Sequence, residues 1–262
     1  MSSGASPAVS LDLVPGTPAT LAPPEVPTRV PRLALRAPGR AQPPIEAANP
    51  LPRVKPQWRG VSHQFAAFLA APAALILWFA AQGFAARLGA AVYGLSLLGL
   101  FTISAIYHRP TWQPRMRDLV GRLDQAAIFL LIAGTYTPFG LLLRPAGGPT
   151  LLVIVWATAL GGVVLSLAWP AAPKPLMAAI YVAFGWFAAA LIPSLFRVAG
   201  WTVLILILLG AVAYTVGAVI YALRRPDPFP RSFGYHEIFH LLVVVAAVCH
   251  FAAVSLTLRS VV

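Results

Sequence analysis

The stretch Gly234-Tyr235-His236-Glu237-Ile238-Phe239-His240, followed without a break by LLVVVAAVCHFAAVSLTL over residues 241–258, decides how the chain is read. Its second part is apolar for roughly 20 residues, about 30 Å as a helix, which matches the core of a bilayer. Its first part carries two histidines four apart. On a helix they share one face, one turn above the other, and both imidazoles can reach a single metal ion. Ionisable groups are costly in a membrane-embedded helix, so the pair points to function rather than to filling.

Six more apolar runs lie upstream. The expected spans are 61–82, 86–108, 123–143, 149–169, 175–196, 201–223 and 236–258. With 59% hydrophobic and 10% charged residues and a mean hydropathy of +0.79, the chain reads as an all-α polytopic membrane protein, a bundle of seven transmembrane helices. Short connections predict antiparallel neighbours. Trp58, Trp112, Trp169 and Trp201 fall near span ends, where interfacial anchors belong. A net charge of +12 raises nucleic acid as a partner, but no basic stripe interleaved with aromatics lies on any folded element, so none is expected. The single cysteine, Cys249, excludes an intramolecular disulfide framework and is read as a small packed residue. No cleavable signal peptide is expected, because the first long apolar run begins near Val61.

Residues 1–58 are rich in Pro, Ala and Arg without a sustained period, and are expected to be a disordered cytoplasmic tail ahead of a transmembrane domain over 59–262. Up to Arg59, the first residue after the tail, the chain carries seven basic residues: Arg29, Arg32, Arg36, Arg40, Arg53, Lys55 and Arg59. The same side receives Arg109, Arg115, Arg117, Arg122, Lys174, Arg224, Arg225 and Arg231, whereas the other receives Arg87, Arg144, Arg197 and Arg259. Fifteen against four predicts an inside N-terminus and an outside C-terminus, which requires an odd number of spans.

That topology gathers chemistry at one end. His108 closes the second span, Asp124 opens the third, and His236 and His240 open the seventh, all at the cytoplasmic end; Ser104 precedes His108 by one turn. His108, His236 and His240 are the expected metal ligands. Three neutral imidazoles with an open fourth position make a catalytic type of site, best suited to zinc. Asp124 is the candidate to orient or deprotonate a water, and Ser104 the candidate donor to that water or to a developing oxyanion. The plainer readings are a carboxylate placed by a helix N-terminus for Asp124 and a hydroxyl bonded to its own helix carbonyl for Ser104. His63 opens the first span on the same side and within reach of the site, but is read as interfacial. His250, about 15 Å further along its helix than His240, is read as a hydrogen-bonding residue inside the bundle. His-Glu-x-x-His also matches the zinc-protease signature, but Glu237 is read as facing the aqueous rim near Arg225 or Arg231.

In these residues the chain resembles the hemolysin III family, the bacterial branch of the progestin and adipoQ receptor family. The likeness runs from about Arg59 to Leu258. It is carried by Ser104-x-x-x-His108, by Leu123-Asp124 leading into Ala133-Gly134-Thr135-Tyr136-Thr137-Pro138, and by His236-Glu237-Ile238-Phe239-His240 running to Cys249-His250-Phe251. The resemblance implies seven helices, an inside N-terminus in a bacterial inner membrane, and zinc on His108, His236 and His240 with Ser104 and Asp124 beside it. It also connects the chain to membrane hydrolases that include alkaline ceramidases. The expected activity is therefore hydrolysis of a membrane-lipid amide or ester. The alternatives are a sensor or receptor-like protein with structural zinc, and a membrane-permeabilising hemolysin.

Overall fold

The computed structural model describes residues 55–142, 148–187 and 192–260, and they are helical nearly throughout. Seven helices follow in order: α1 Val61–Ala80, α2 Gly83–His108, α3 Pro114–Leu142, α4 Gly148–Ala168, α5 Lys174–Trp186, α6 Ile192–Leu223 and α7 Tyr235–Ser260. The all-α architecture is as expected. Most of the tail read from the sequence, residues 1–54, lies outside the described residues, as do 143–147, 188–191 and 261–262.

Among the described residues, six helical stretches are long and apolar enough to cross a membrane: α1 to α4, the Ala199–Leu223 part of α6, and α7. The chain is a multi-pass integral membrane protein. α5 has 13 residues, about 20 Å, short of a bilayer core. The fifth expected span, 175–196, corresponds to α5 together with the start of α6. Gly200, at φ 76° and ψ −179°, breaks α6 where the sixth expected span begins. A side chain is strained at that φ, which makes glycine the residue for this turn. α3 starts at Pro114 rather than near 123, because a proline at the first helical position is pre-set for the helix and about two turns over 115–122, rich in Arg and Asp, continue it outward.

The faces of α1 show which way the bundle looks. Phe65, Phe68, Leu69, Ile76 and Phe79 recur at helical spacing on one side and are exposed, Phe68 by 70% and Phe79 by 78%. His63, Ala66, Ala70 and Leu77 occupy the opposite side and are buried. In water this would be an inverted protein. In lipid it is the expected sorting, because large apolar side chains face acyl chains and small ones let helices approach.

α1 contacts α2, α2 contacts α3, α3 contacts α4 and α5, α5 contacts α6, α6 contacts α7, and α7 returns against α1, α3 and α2. Among these helices lies a cavity of about 1160 Å³. At one end it opens among Lys55, Arg59, Arg117, Lys174, Arg224 and Arg231.

Candidate metal centre

Buried polar groups separate the site from the rest of the bundle. Among the described residues, nine polar or charged side chains are buried: His63, Ser104, His108, Thr137, Ser166, His236, Glu237, His240 and Thr257. Thr137, Ser166 and Thr257 each donate to a carbonyl of their own helix, at 2.9, 3.0 and 2.9 Å, and are thereby satisfied. The other six sit together, around the last turn of α2 and the first turns of α1 and α7.

His236 and His240 leave α7 on one face, as the four-residue spacing requires, with ring centroids 4.5 Å apart. The ring of His108 lies 4.8 Å from each of them. One nitrogen from each of these residues falls within 4.8 Å of the others. His108 Nε2 and His236 Nε2 face each other at 3.4 Å. Asp124 Oδ2 lies 3.5 Å from His108 Nε2. The helix bearing Asp124 begins at Pro114, so the carboxylate stands about three turns into α3 and is not placed there by a helix N-terminus.

Two buried atoms in this cluster have no partner, Ser104 Oγ and His240 Nε2. Leaving a buried polar atom unsatisfied costs about 1–3 kcal/mol, so a ligand at this point relieves a standing penalty. Ser104, 2% exposed, does not bond back to its own helix, unlike the three satisfied hydroxyls. An orphaned imidazole nitrogen, two more imidazoles within reach and a nearby carboxylate are the donor set of a divalent metal site. The residues fit the group.

Glu237 is not at the rim. It is 3% exposed, accepts from Arg59 Nε through Oε1, and accepts from the Gly234 N–H at 2.8 Å through Oε2. The second contact is a capping-box bond, in which a third-position carboxylate reaches back to the N–H that opens the helix. Asp227 Oδ1 accepts the next N–H, that of Tyr235, at 3.2 Å. Glu237 is thus committed to starting α7 and to pairing with Arg59.

His63 is not interfacial either. It is 3% exposed and packs against His240 with ring centroids 4.0 Å apart. The segment ahead of α1 carries it there as a strap across the end of the bundle. Lys55 Nζ donates to the carbonyls of Arg109 and Pro110 at 2.8 and 3.2 Å. Partial burial, then the guanidinium groups of Arg109, Arg59 and Arg117, hold the Lys55 ammonium below the usual lysine range. Gln57 and Trp58 donate backbone N–H groups to the carbonyls of Arg231 and Ser232, at 3.3 and 3.2 Å. Gly60 then lies directly on His108, where a Cβ would stand 2.6 Å from His108 Cβ.

Ser104, His108, Asp124, His236 and His240 all line the one cavity. Beyond them its wall turns apolar, with Leu97, Leu100, Leu131, Phe139, Ile207 and Val243, and it reaches His250. Ten helical residues separate His240 from His250, about 15 Å of depth.

Residues 52–251 match the protein family described as Haemolysin-III related. The Hemolysin-3 homolog of Bacillus subtilis is 32% identical over 204 residues, covering 74% of this chain and 90% of that protein. Hemolysin-3 of Bacillus cereus is 35% identical over 188 residues, covering 70% and 83%. The adiponectin receptor protein of Drosophila melanogaster is 32% identical over 167 residues, covering 53% of this chain and 35% of the receptor.

Proposed function

This chain belongs to the haemolysin-III-related family, and from that premise we propose that it is a zinc-dependent hydrolase of a membrane-lipid amide or ester, acting near the cytoplasmic leaflet of a bacterial inner membrane. The observation that carries the reading is the junction of two features. A cluster of three buried imidazoles with unpartnered Ser104 Oγ and His240 Nε2 opens into an apolar cavity deep enough for an acyl chain. The fifteen-to-four distribution of basic residues supports the cytoplasmic side, with the N-terminus inside and seven spans.

His108, His236 and His240 hold the ion in this reading. When bound, zinc supplies a Lewis acid that brings the pKa of water to about 7. The chain's own groups do the rest. The acyl tail lies along the Leu97, Leu131 and Ile207 wall, which sets the depth at which the head-group linkage meets the histidines. Ser104 Oγ–H, free of an intrahelical bond, donates to the substrate carbonyl oxygen as negative charge gathers on it. Asp124 takes a proton from the attacking water and returns it to the leaving amine or alcohol. Arg59 and Glu237, by pairing, keep the first turn of α7 in place.

The test begins with elemental analysis of detergent-purified protein and of His236→Ala. About one zinc per chain is expected, lost in the variant, followed by turnover on a panel of lipid amides and esters. Bound zinc with no turnover anywhere on the panel ends the hydrolase reading. A second reading, a receptor-like protein with structural zinc, is favoured by the strap that fastens α1, α2 and α7 together. It predicts that loss of His108 costs stability alone. The names of the Bacillus relatives suggest membrane permeabilisation; dye release from liposomes that does not depend on the metal would promote that reading.

A further inference from the structure

His63 is a fourth imidazole in the cluster, and the metal-binding reading gives it no task. Its Nε2 lies 3.3 Å from the carbonyl oxygen of His240 and 2.9 Å from His240 Nδ1, and its own Nδ1 lies 3.1 Å from that same nitrogen. A carbonyl oxygen can only accept, so the one proton of a neutral His63 belongs on Nε2, donated to it. His240 Nδ1, at 2.9 and 3.1 Å from the two nitrogens of a ring it meets edge-on, stands over the face of His63, where the π electrons repel a lone pair and attract an N–H, so His240 carries its proton on Nδ1. With its proton on Nδ1, His240 has its own lone pair on Nε2. That is the atom found buried and unpartnered, in a ring packed against His108 and His236. The reverse tautomer of His240 would bury an N–H with nothing to receive it.

His63 is itself held from several sides. Phe101 packs edge-on against it with centroids 5.0 Å apart, and the strap anchors the start of α1 through Gly60 on His108 and Arg59 on Glu237. We propose that His63 is a positioning residue that fixes His240 as the Nδ1–H tautomer and keeps its Nε2 lone pair turned to the metal. Outer hydrogen bonds of this kind set the orientation and basicity of a ligating imidazole, and their loss costs about 10- to 100-fold in metal affinity. His63 acts through His240, and the inference rests on the metal reading above.

The experiment titrates zinc alone into the purified full-length chain against a competing chelator. His63→Leu removes both ring nitrogens, and its zinc affinity is expected to fall about 10- to 100-fold. His63→Gln has a carboxamide that can accept from His240 Nδ1–H and donate to the His240 carbonyl, and it is expected to restore affinity to within about threefold. Wild-type affinity in His63→Leu, or equal weakness in the two variants, overturns the proposal. Should His63→Leu fail to fold, nitrogen NMR of histidine-labelled, metal-free wild type decides. An Nδ1–H tautomer at His240 supports the assignment and an Nε2–H tautomer overturns it. Wild-type protein that takes up no zinc ends the metal reading and this inference together. Tight zinc in both wild type and His63→Leu ends this inference alone.

Discussion

Replacing Gly60 by alanine tests whether the strap positions the candidate metal centre. Gly60 has φ 77°, and a Cβ added there meets His108 Cβ at 2.6 Å. Two costs follow. Holding a non-glycine residue in the left-handed region costs about 1–2 kcal/mol. Forcing a methyl group into a packed contact costs about 1–3 kcal/mol more. The sum is about 2–5 kcal/mol if nothing moves. Carbon atoms pack comfortably at about 3.5–4 Å, so relief requires His108 and the strap to separate by roughly 1 Å. A displacement of that size in a catalytic group is enough to lose about a hundredfold in rate. The assay is thermal unfolding in detergent alongside zinc titration, run on Gly60→Ala and Gly60→Asn. Asparagine carries the same Cβ but tolerates the left-handed conformation better. Stability should therefore fall less in Gly60→Asn, while zinc affinity falls at least tenfold in both. A Gly60→Ala protein with wild-type unfolding and wild-type zinc affinity would refute the claim that this contact sets the place of His108.

Ser104→Ala removes a buried hydroxyl that has no partner, so stability should hold or rise slightly in a melting experiment. Turnover on the best lipid substrate should drop by about 10²–10³, the usual loss on removing one oxyanion donor. Asp124→Asn should retain about one zinc per chain by elemental analysis yet lose turnover, because the amide cannot take the proton from water. Glu237→Gln keeps an acceptor for the Gly234 N–H but leaves Arg59 without its charge partner. Since Arg59 is about a quarter exposed, the penalty should stay below the 3–5 kcal/mol typical of breaking a fully buried pair, at about 1–3 kcal/mol by denaturant titration. Turnover per folded molecule should survive, whereas its complete loss in a folded Glu237→Gln protein would restore the zinc-protease role for this residue. Chelation of the wild-type protein should lower its melting temperature, by an amount that reflects up to about 4 kcal/mol when zinc was present at a thousand times its dissociation constant.

The helices and the histidine cluster were readable from sequence because both depend on periodicity within single helices. Hydropathy over about 20 residues marks a span, and a four-residue spacing puts His236 with His240, and Ser104 with His108, on common faces. Counting alternating spans then places these faces at one end of the bundle. What could not be read directly were contacts between elements distant in sequence. His63 and Glu237 both resemble interfacial residues when only their own helices are considered. Their burial comes from the strap, which fastens residues 55–60 to the ends of α2 and α7. Signals for both did exist. His63 lies on the small-residue face of α1 with Ala66 and Ala70, opposite Phe65, Phe68 and Leu69, and in lipid the small face is the inner one. Gly234 and Glu237 stand three apart at the start of an apolar run, the spacing of a capping box. The early start of α3 was hidden because residues 115–122 are too polar to register as part of a span, although Pro114 marks a helix start.

That the three imidazoles come from α2 and α7 has a consequence for how the protein is made. His108 and His236 are separated by 128 residues of chain. At about 5–20 residues per second, roughly 6 to 26 seconds of synthesis pass between them. Throughout that interval the ribosome has delivered one ligand and neither of the others, together with four intervening helices that must settle without the ion's help. On the zinc reading, metal capture would be the closing event of biogenesis and a mark of completed assembly. A chain stalled or cut anywhere before α7 should reach the membrane and never carry zinc.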